Sequence, residues 1–159
     1  MENQSFRYQT LVHREWVDYN GHMNDSAYAV VFSIAVDRLI DFIGLDADAR
    51  DSLSYTMFTL ETHICYLQEA HENEELHVTM QLLDTDAKRM HVFFYLTNNE
   101  NEILATSEQM LMGMDTLQGK PAPFPEPVVT KVQKIWSEHN QLELPKQAGR
   151  RIGIKKKKE

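Results

Sequence analysis

The run SAYAVVFSIAVDRLIDFI, from Ser26 to Ile43, is nearly apolar as far as Val36. Coiled into a helix, it presents apolar surface on almost every side and has to be buried on most of them, with Ser26, Ser33, Asp37 and Asp41 marking one wetter stripe. Asn24 or Asp25 supplies an N-cap, and Gly44 falls where helices commonly stop. No apolar run approaches the roughly 20 residues that span a bilayer. A helix of this kind needs a concave sheet wrapped around it.

The remaining segments supply that sheet. Phe6 to Val17 alternates, with Phe6, Tyr8, Thr10, Val12 and Trp16 on one parity, and reads as a strand. Tyr55 to Leu67 places Phe58, Leu60, Ile64 and Tyr66 on one face and Met57, Glu61, His63 and Cys65 on the other. Alternation recurs around Leu76 to Leu82, Met90 to Thr97 and Leu104 to Met114, and the short polar connections HENEE, DTDAK and NNENE suit hairpins. The order strand, buried helix, four antiparallel strands predicts an α+β fold, an antiparallel sheet around one central helix. Residues 1–115 hold that unit. Residues 116–159 read as an extension of the same domain: a proline-rich wrap, GKPAPFPEP, then a short helix from Val128 to His139 and a basic tail, GRRIGIKKKKE.

Charge and cysteine content narrow the function. A net charge of -8 argues against nonspecific binding to nucleic acid or to an acidic membrane, both of which demand a basic face. Cys65 is the single cysteine, so neither an internal disulfide nor a CxxC metal site can form. His13, His71, His77, His91 and His139 lack paired-ligand spacing, and neither a metal nor another cofactor is expected. The polar start MENQSFRYQT lacks a signal peptide's basic region and apolar block, which predicts a cytoplasmic location.

Chemistry concentrates in VDYNGHMNDSAY, Val17 to Tyr28. A glycine just before a helix lets the backbone approach a ligand closely, and free amides at the helix start, at Asn24 and Asp25, can receive negative charge. Asp18 lies three residues before that glycine and is a candidate to attack a carbonyl held there or to activate water. The same spacing also describes an ordinary Asp-Asn-Gly turn followed by an N-cap.

The pattern D-x-x-G-H-M-N-x-x-x-Y, leading into a long apolar helix and a four-strand meander, resembles the hotdog-fold acyl-CoA thioesterases of the 4-hydroxybenzoyl-CoA thioesterase type over residues 6 to about 115. The resemblance implies that Asp18 is the nucleophile or general base and that the amide of Asp25 or Asn24 polarises the thioester carbonyl. Many relatives carry a second acid two residues earlier, where this chain has Trp16. Asn20 and His22 are similar to the N-x-H pair of the plant acyl carrier thioesterases, which implies an orienting or catalytic part for both. The segments WVDYNGHMNDSAY, YTMFTLETHICYLQE, KRMHVFF and LATSEQMLMGMDT further resemble the betainyl-CoA thioesterases of carnitine breakdown. That likeness implies hydrolysis of betainyl-CoA to glycine betaine and CoA by a homodimer or homotetramer.

A trimethylammonium group favours aromatic faces and a nearby acid. Trp16, Tyr28, Glu61, His63 and Tyr66 are the candidates for holding it, although Glu61 and His63 equally suit a structural pair. Lys88 and Arg89, inside one of the shared segments, are the candidates for the phosphates of CoA. Three alternatives stay open: a thioesterase for short neutral or aromatic acyl-CoAs, a hotdog dehydratase, and a noncatalytic acyl-CoA-binding protein.

Overall fold

The computed structural model describes residues 5–158. Strand β1 (Arg7–Leu11) and a 3-10 turn (Arg14–Trp16) lead to helix α1 (Asp25–Phe42), followed by a short helix α2 (Ala47–Leu53). Strands β2 (Tyr55–Tyr66), β3 (Glu75–Thr85), β4 (Arg89–Thr97) and β5 (Ile103–Asp115) come next, then β6 (Lys120–Pro121) and helix α3 (Glu126–His139). The main sheet runs β1-β3-β4-β5-β2 with every pairing antiparallel, and β6 adds to β5. This is the hotdog arrangement, α+β, with α1 as its filling.

Helix α1 buries Ala27, Tyr28, Val31, Phe32, Ala35, Val36, Leu39 and Ile40, a stripe at helical spacing that joins Leu76, Val78, Leu82, Val92, Phe94 and Leu96 in one core. Its end forms as the glycine predicts. Gly44 adopts φ +98°, its N–H donates to the Asp41 carbonyl, and the Leu45 N–H donates to the Ile40 carbonyl, which closes a Schellman turn. The opposite flank is less covered than the sequence suggests: Val30 is exposed, and an open groove of about 360 Å³ runs between α1 and β2 along Phe32, Val36, Ile40, Met57, Thr62 and Ile64.

Two expectations are corrected. The first strand stops at Leu11 instead of reaching Val17. Val12 donates its N–H to the Glu74 carbonyl and the chain then turns through Arg14–Trp16. The polar stretch LDADARDSLS after Gly44, which reads as a loop in the sequence, contains α2, capped by the Asp46 carboxylate accepting the Ala49 N–H.

Helix α3 covers part of β3 that β1 leaves unpaired, since β1 pairs only with Glu75 to Thr79. Val128, Val132 and Ile135 of α3 join the core, and His139 Nδ1 accepts the Leu82 N–H at 2.9 Å. That bond requires Nδ1 unprotonated. Burial lowers the His139 pKa, with Glu138 opposing. A histidine whose folded pKa is depressed takes up protons more readily in the unfolded chain, so stability rises with pH through that window. The protein is therefore expected to lose stability as pH falls below 6.5, and His139→Gln to flatten that part of the profile. Thermal melts across a pH series check this; an identical slope in both proteins would rule it out.

Candidate active site

The segment Val17 to Asp25 folds as a small hairpin at the entrance to α1. Val17 and Met23 pair as an isolated antiparallel bridge, and Gly21 at φ +76° takes the left-handed conformation its tight turn requires. The Asp18 N–H donates to the His22 carbonyl, and the Gly21 N–H donates to the Asp18 carbonyl. Oδ1 of Asp18 accepts the backbone N–H groups of Asn20 at 2.8 Å and His22 at 3.2 Å. The carboxylate is thus oriented by its own turn, half-buried, with Oδ2 outside both bonds.

At the start of α1 the two candidate amides differ. The Asn24 N–H donates to the Trp16 carbonyl at 2.8 Å. The Asp25 N–H, first in the helix, has no intrahelical acceptor by geometry and takes none among the described residues. Of the two candidate amides, that of Asp25 is the one left without a partner among the described residues. The Tyr66 hydroxyl donates to the Asp25 carbonyl at 3.3 Å, which sets its ring beside the same residue.

Tyr28 and Tyr66 meet edge to face, ring centroids 5.2 Å apart at 86°. Tyr28 is buried and its hydroxyl binds the chain after β2 twice, donating to the Gln68 carbonyl and accepting the Ala70 N–H. Burial raises the pKa of both tyrosines, reinforced at Tyr28 by Glu69 and Glu74, so both hydroxyls remain donors. Trp16 lies half-buried against the core, its ring edge-to-face with His13 at 4.3 Å.

His22 bridges backbone to backbone with His71, and its Nε2 lies 3.2 Å from Glu69 Oε2. His22, Glu69 and His71 each offer one ligand atom within 4.8 Å of the others, a juxtaposition that sequence spacing did not reveal. His71 Nδ1 also meets Glu74 Oε1 at 3.2 Å. Two imidazoles and a carboxylate are donors that divalent transition metals accept. Here His22 is already engaged with Glu69 and His71 with Glu74, and Glu69 and His71 are exposed.

Two sets of sequence candidates do not join this loop within one chain. A bulge between Thr59 and Glu61 in the β2–β5 register inserts Leu60 and reverses the parity of β2. Met57 and Thr59 face α1 before it, whereas Thr62 and Ile64 face α1 after it. Glu61 and His63 consequently point to the outer side of the sheet, where they line a cavity of about 670 Å³ with His91, Glu108, Met110 and the returning segment Gly149, Arg150 and Ile152. Glu108 closes that side, meeting His91 Nε2 at 2.7 Å and accepting the Gly149 N–H at 2.8 Å. Glu61 lies opposite Met110 and Tyr66 opposite Ala105, so Glu61 is roughly 16 Å along the strands from the Tyr66 level.

Arg89, opposite Met112, is farther still, roughly 23 Å by the same spacing. Its guanidinium grips Asp86 at 2.6 Å, and that hydrogen bond holds the Asp86 carboxyl down at about 2. Lys88 precedes it in the same turn, its N–H donating to Asp86 Oδ1.

An oriented carboxylate, a free helix-start amide and a pair of tyrosines thus lie along the turn that enters α1. The chain matches the Thioesterase-like superfamily over residues 12–132, and it belongs to that family of thioester hydrolases. Among individual relatives, it is 42% identical over 149 residues to the betainyl-CoA thioesterase of Pseudomonas aeruginosa, an alignment covering 92% of this chain and 93% of that protein. It is also 42% identical to the L-carnitine dehydrogenase/betainyl-CoA thioesterase of a Rhizobium species, where the match covers 92% of this chain but 30% of the longer protein. The solved Staphylococcus aureus protein SAV2348, in complex with CoA, superposes with a TM-score of 0.91 at 34% identity, covering 98% of each chain. Among the described residues no helix is long and apolar enough to cross a membrane.

Proposed function

We propose that this chain hydrolyses betainyl-CoA to glycine betaine and CoA in carnitine breakdown, acting in the cytoplasm without a cofactor. The observation that carries the chemistry is the Asp18 carboxylate, oriented by the Asn20 and His22 amides in the turn that leads to the free Asp25 N–H. The substrate class follows from the near full-length likeness to a betainyl-CoA thioesterase.

In the proposed reaction the thioester oxygen accepts the Asp25 N–H, which favours the charge that develops as the carbonyl becomes tetrahedral. Asp18 either takes a proton from a water that attacks the carbon or attacks it directly through Oδ2, giving an anhydride that water then opens. In both routes a carbon–oxygen bond forms, the carbon–sulfur bond breaks, and CoA leaves as a thiolate that is then protonated. Asn20 and His22 hold Asp18 through their backbone. Trp16, Tyr28 and Tyr66 wall the acyl group.

The working unit in this reading is a homodimer or homotetramer. Strand β2 forms one edge of the sheet and exposes Phe58, Leu60 and Tyr66 beside the open flank of α1. Antiparallel pairing of two β2 edges would bring the Phe58 end of one copy towards the Tyr66 end of the other. The Lys88–Arg89 turn, level with Phe58, would then approach the neighbouring site as a contact for CoA phosphates, with Glu61 and His63 beside the joint.

Thiol release from betainyl-CoA, acetyl-CoA, a medium-chain acyl-CoA and 4-hydroxybenzoyl-CoA tests the reading. Betainyl-CoA is expected to be cleaved with the highest kcat/KM. Preference for a neutral or aromatic acyl group would overturn the substrate, and no release from any of the four would overturn the activity.

A further inference from the structure

Within the betainyl-CoA reading, the acid that meets the substrate's positive charge has to lie close to the reacting carbonyl. The quaternary nitrogen stands one methylene from that carbon, about 2.5 Å away on ordinary bond lengths. With the carbonyl on the Asp25 amide, the cation falls in the neighbourhood of the Tyr66 ring, which hydrogen-bonds to the same residue. Glu61 of the same chain, five positions along β5 from that level, is out of reach.

Glu69 is in reach. Its two neighbours are both tied to one hydroxyl: Tyr28 donates to the Gln68 carbonyl and accepts the Ala70 N–H. The Ala70 carbonyl in turn accepts the Met23 N–H of the motif hairpin. The chain at Glu69 is therefore clamped between the Tyr28–Tyr66 corner and the turn that carries Asp18. The Glu69 side chain meets His22 Nε2 through Oε2 and is 66% exposed, open to a ligand from the solvent side. Its charge is sensed at Tyr28, whose pKa it helps to raise. A carboxylate close to an aromatic corner, here Tyr28 packed on the half-exposed Tyr66, is the chemistry that selects a quaternary ammonium, which cannot donate a hydrogen bond and is held by charge and by ring faces.

We propose that Glu69 and the exposed face of Tyr66 form the subsite for the trimethylammonium end of the acyl group, and that Glu69 sets the preference for a cationic over a neutral acyl chain. This rests on the betainyl-CoA reading. Glu69 acts on binding and takes no part in bond making.

The test compares betainyl-CoA with 3,3-dimethylbutanoyl-CoA, which has the same shape with carbon in place of the charged nitrogen. For the intact protein bearing Glu69→Gln, KM for betainyl-CoA is expected to rise roughly five- to tenfold, as for a partly exposed charge pair, with kcat within about twofold. The neutral substrate should be turned over as by the wild type, and Glu69→Asp should recover part of the preference. Equal losses on both substrates would reduce Glu69 to a structural partner of His22 and overturn the proposal. So would loss of the preference in Glu61→Gln while Glu69→Gln retains it. Should the wild type cleave the neutral thioester but leave betainyl-CoA intact, the parent reading fails instead.

Discussion

An Asp18→Asn protein is expected to melt with the wild type and to hydrolyse its acyl-CoA roughly 100- to 10,000-fold more slowly, the range for losing a positioned base. Asparagine is the informative replacement because its Oδ1 can still accept the Asn20 and His22 N–H groups that shape the turn. Asp18→Ala removes both acceptor contacts and mixes the chemical loss with a loosened loop. Turnover at the wild-type rate in a folded Asp18→Asn protein would remove Asp18 from the reaction. A single turnover in oxygen-18 water separates the two routes. Label in the Asp18 peptide after one turnover marks direct attack with water opening the anhydride at the Asp18 carbonyl, since water attack sends label only into the released acid.

The second large effect concerns stability and lies away from the chemistry. Gly113 in β5 sits against Tyr55, whose buried hydroxyl donates to the Ala122 carbonyl at 2.7 Å and whose pKa burial pushes up to about 12. A β-carbon at Gly113 would overlap that hydroxyl oxygen, lie 2.7 Å from the adjoining ring carbon and lie 3.2 Å from the Ala122 oxygen. The backbone cannot retreat freely, since the Gly113 N–H donates to the Lys88 carbonyl at 2.7 Å and the Gly113 carbonyl accepts the Ala122 N–H at 3.0 Å. Gly113→Ala is therefore expected to cost about 1 to 3 kcal/mol, typical of overpacking. For a chain of this size that lowers Tm by roughly 2 to 12 °C. Adding Tyr55→Phe should recover part of the loss by removing the nearest clashing atom, a coupling that a double-mutant cycle measures. An unchanged Tm in the single variant would show that Tyr55 moves aside without penalty.

Local signals in the sequence proved reliable. The apolar run located α1 to within a residue, because burial, a cap position and Gly44 all act through neighbouring positions. The β3–β4–β5 meander was legible for the same reason, its alternation broken by short polar turns. The bulge at Leu60 was not, since an extra residue in a strand leaves no mark in composition. It separated Met57 from Glu61 and His63, which simple alternation had put on one face. The polar stretch after Gly44 looked like a loop although Asp46 caps a helix there.

In the candidate site, the Asp18 turn could be read from its own residues, as could the amide at the helix start. The commitment of the Asn24 N–H to Trp16 could not, because it depends on how the hairpin folds back. The approach of Glu69 to His22 was also hidden. It arises where the chain leaving β2 crosses the motif, and nothing near either residue signals the encounter.

The strand order has a consequence for modularity. Everything from Asp18 to Glu69 that bears on the chemistry lies in the first part of the chain, yet β1 pairs with β3 and β2 pairs with β5. The strands that flank and end that segment, β1 and β2, share no ladder with each other. Cut out as a fragment, it would keep its residues and lose the frame that aligns them. The candidate loop is thus an N-terminal sequence whose neighbouring strands are held in place by strands later in the chain.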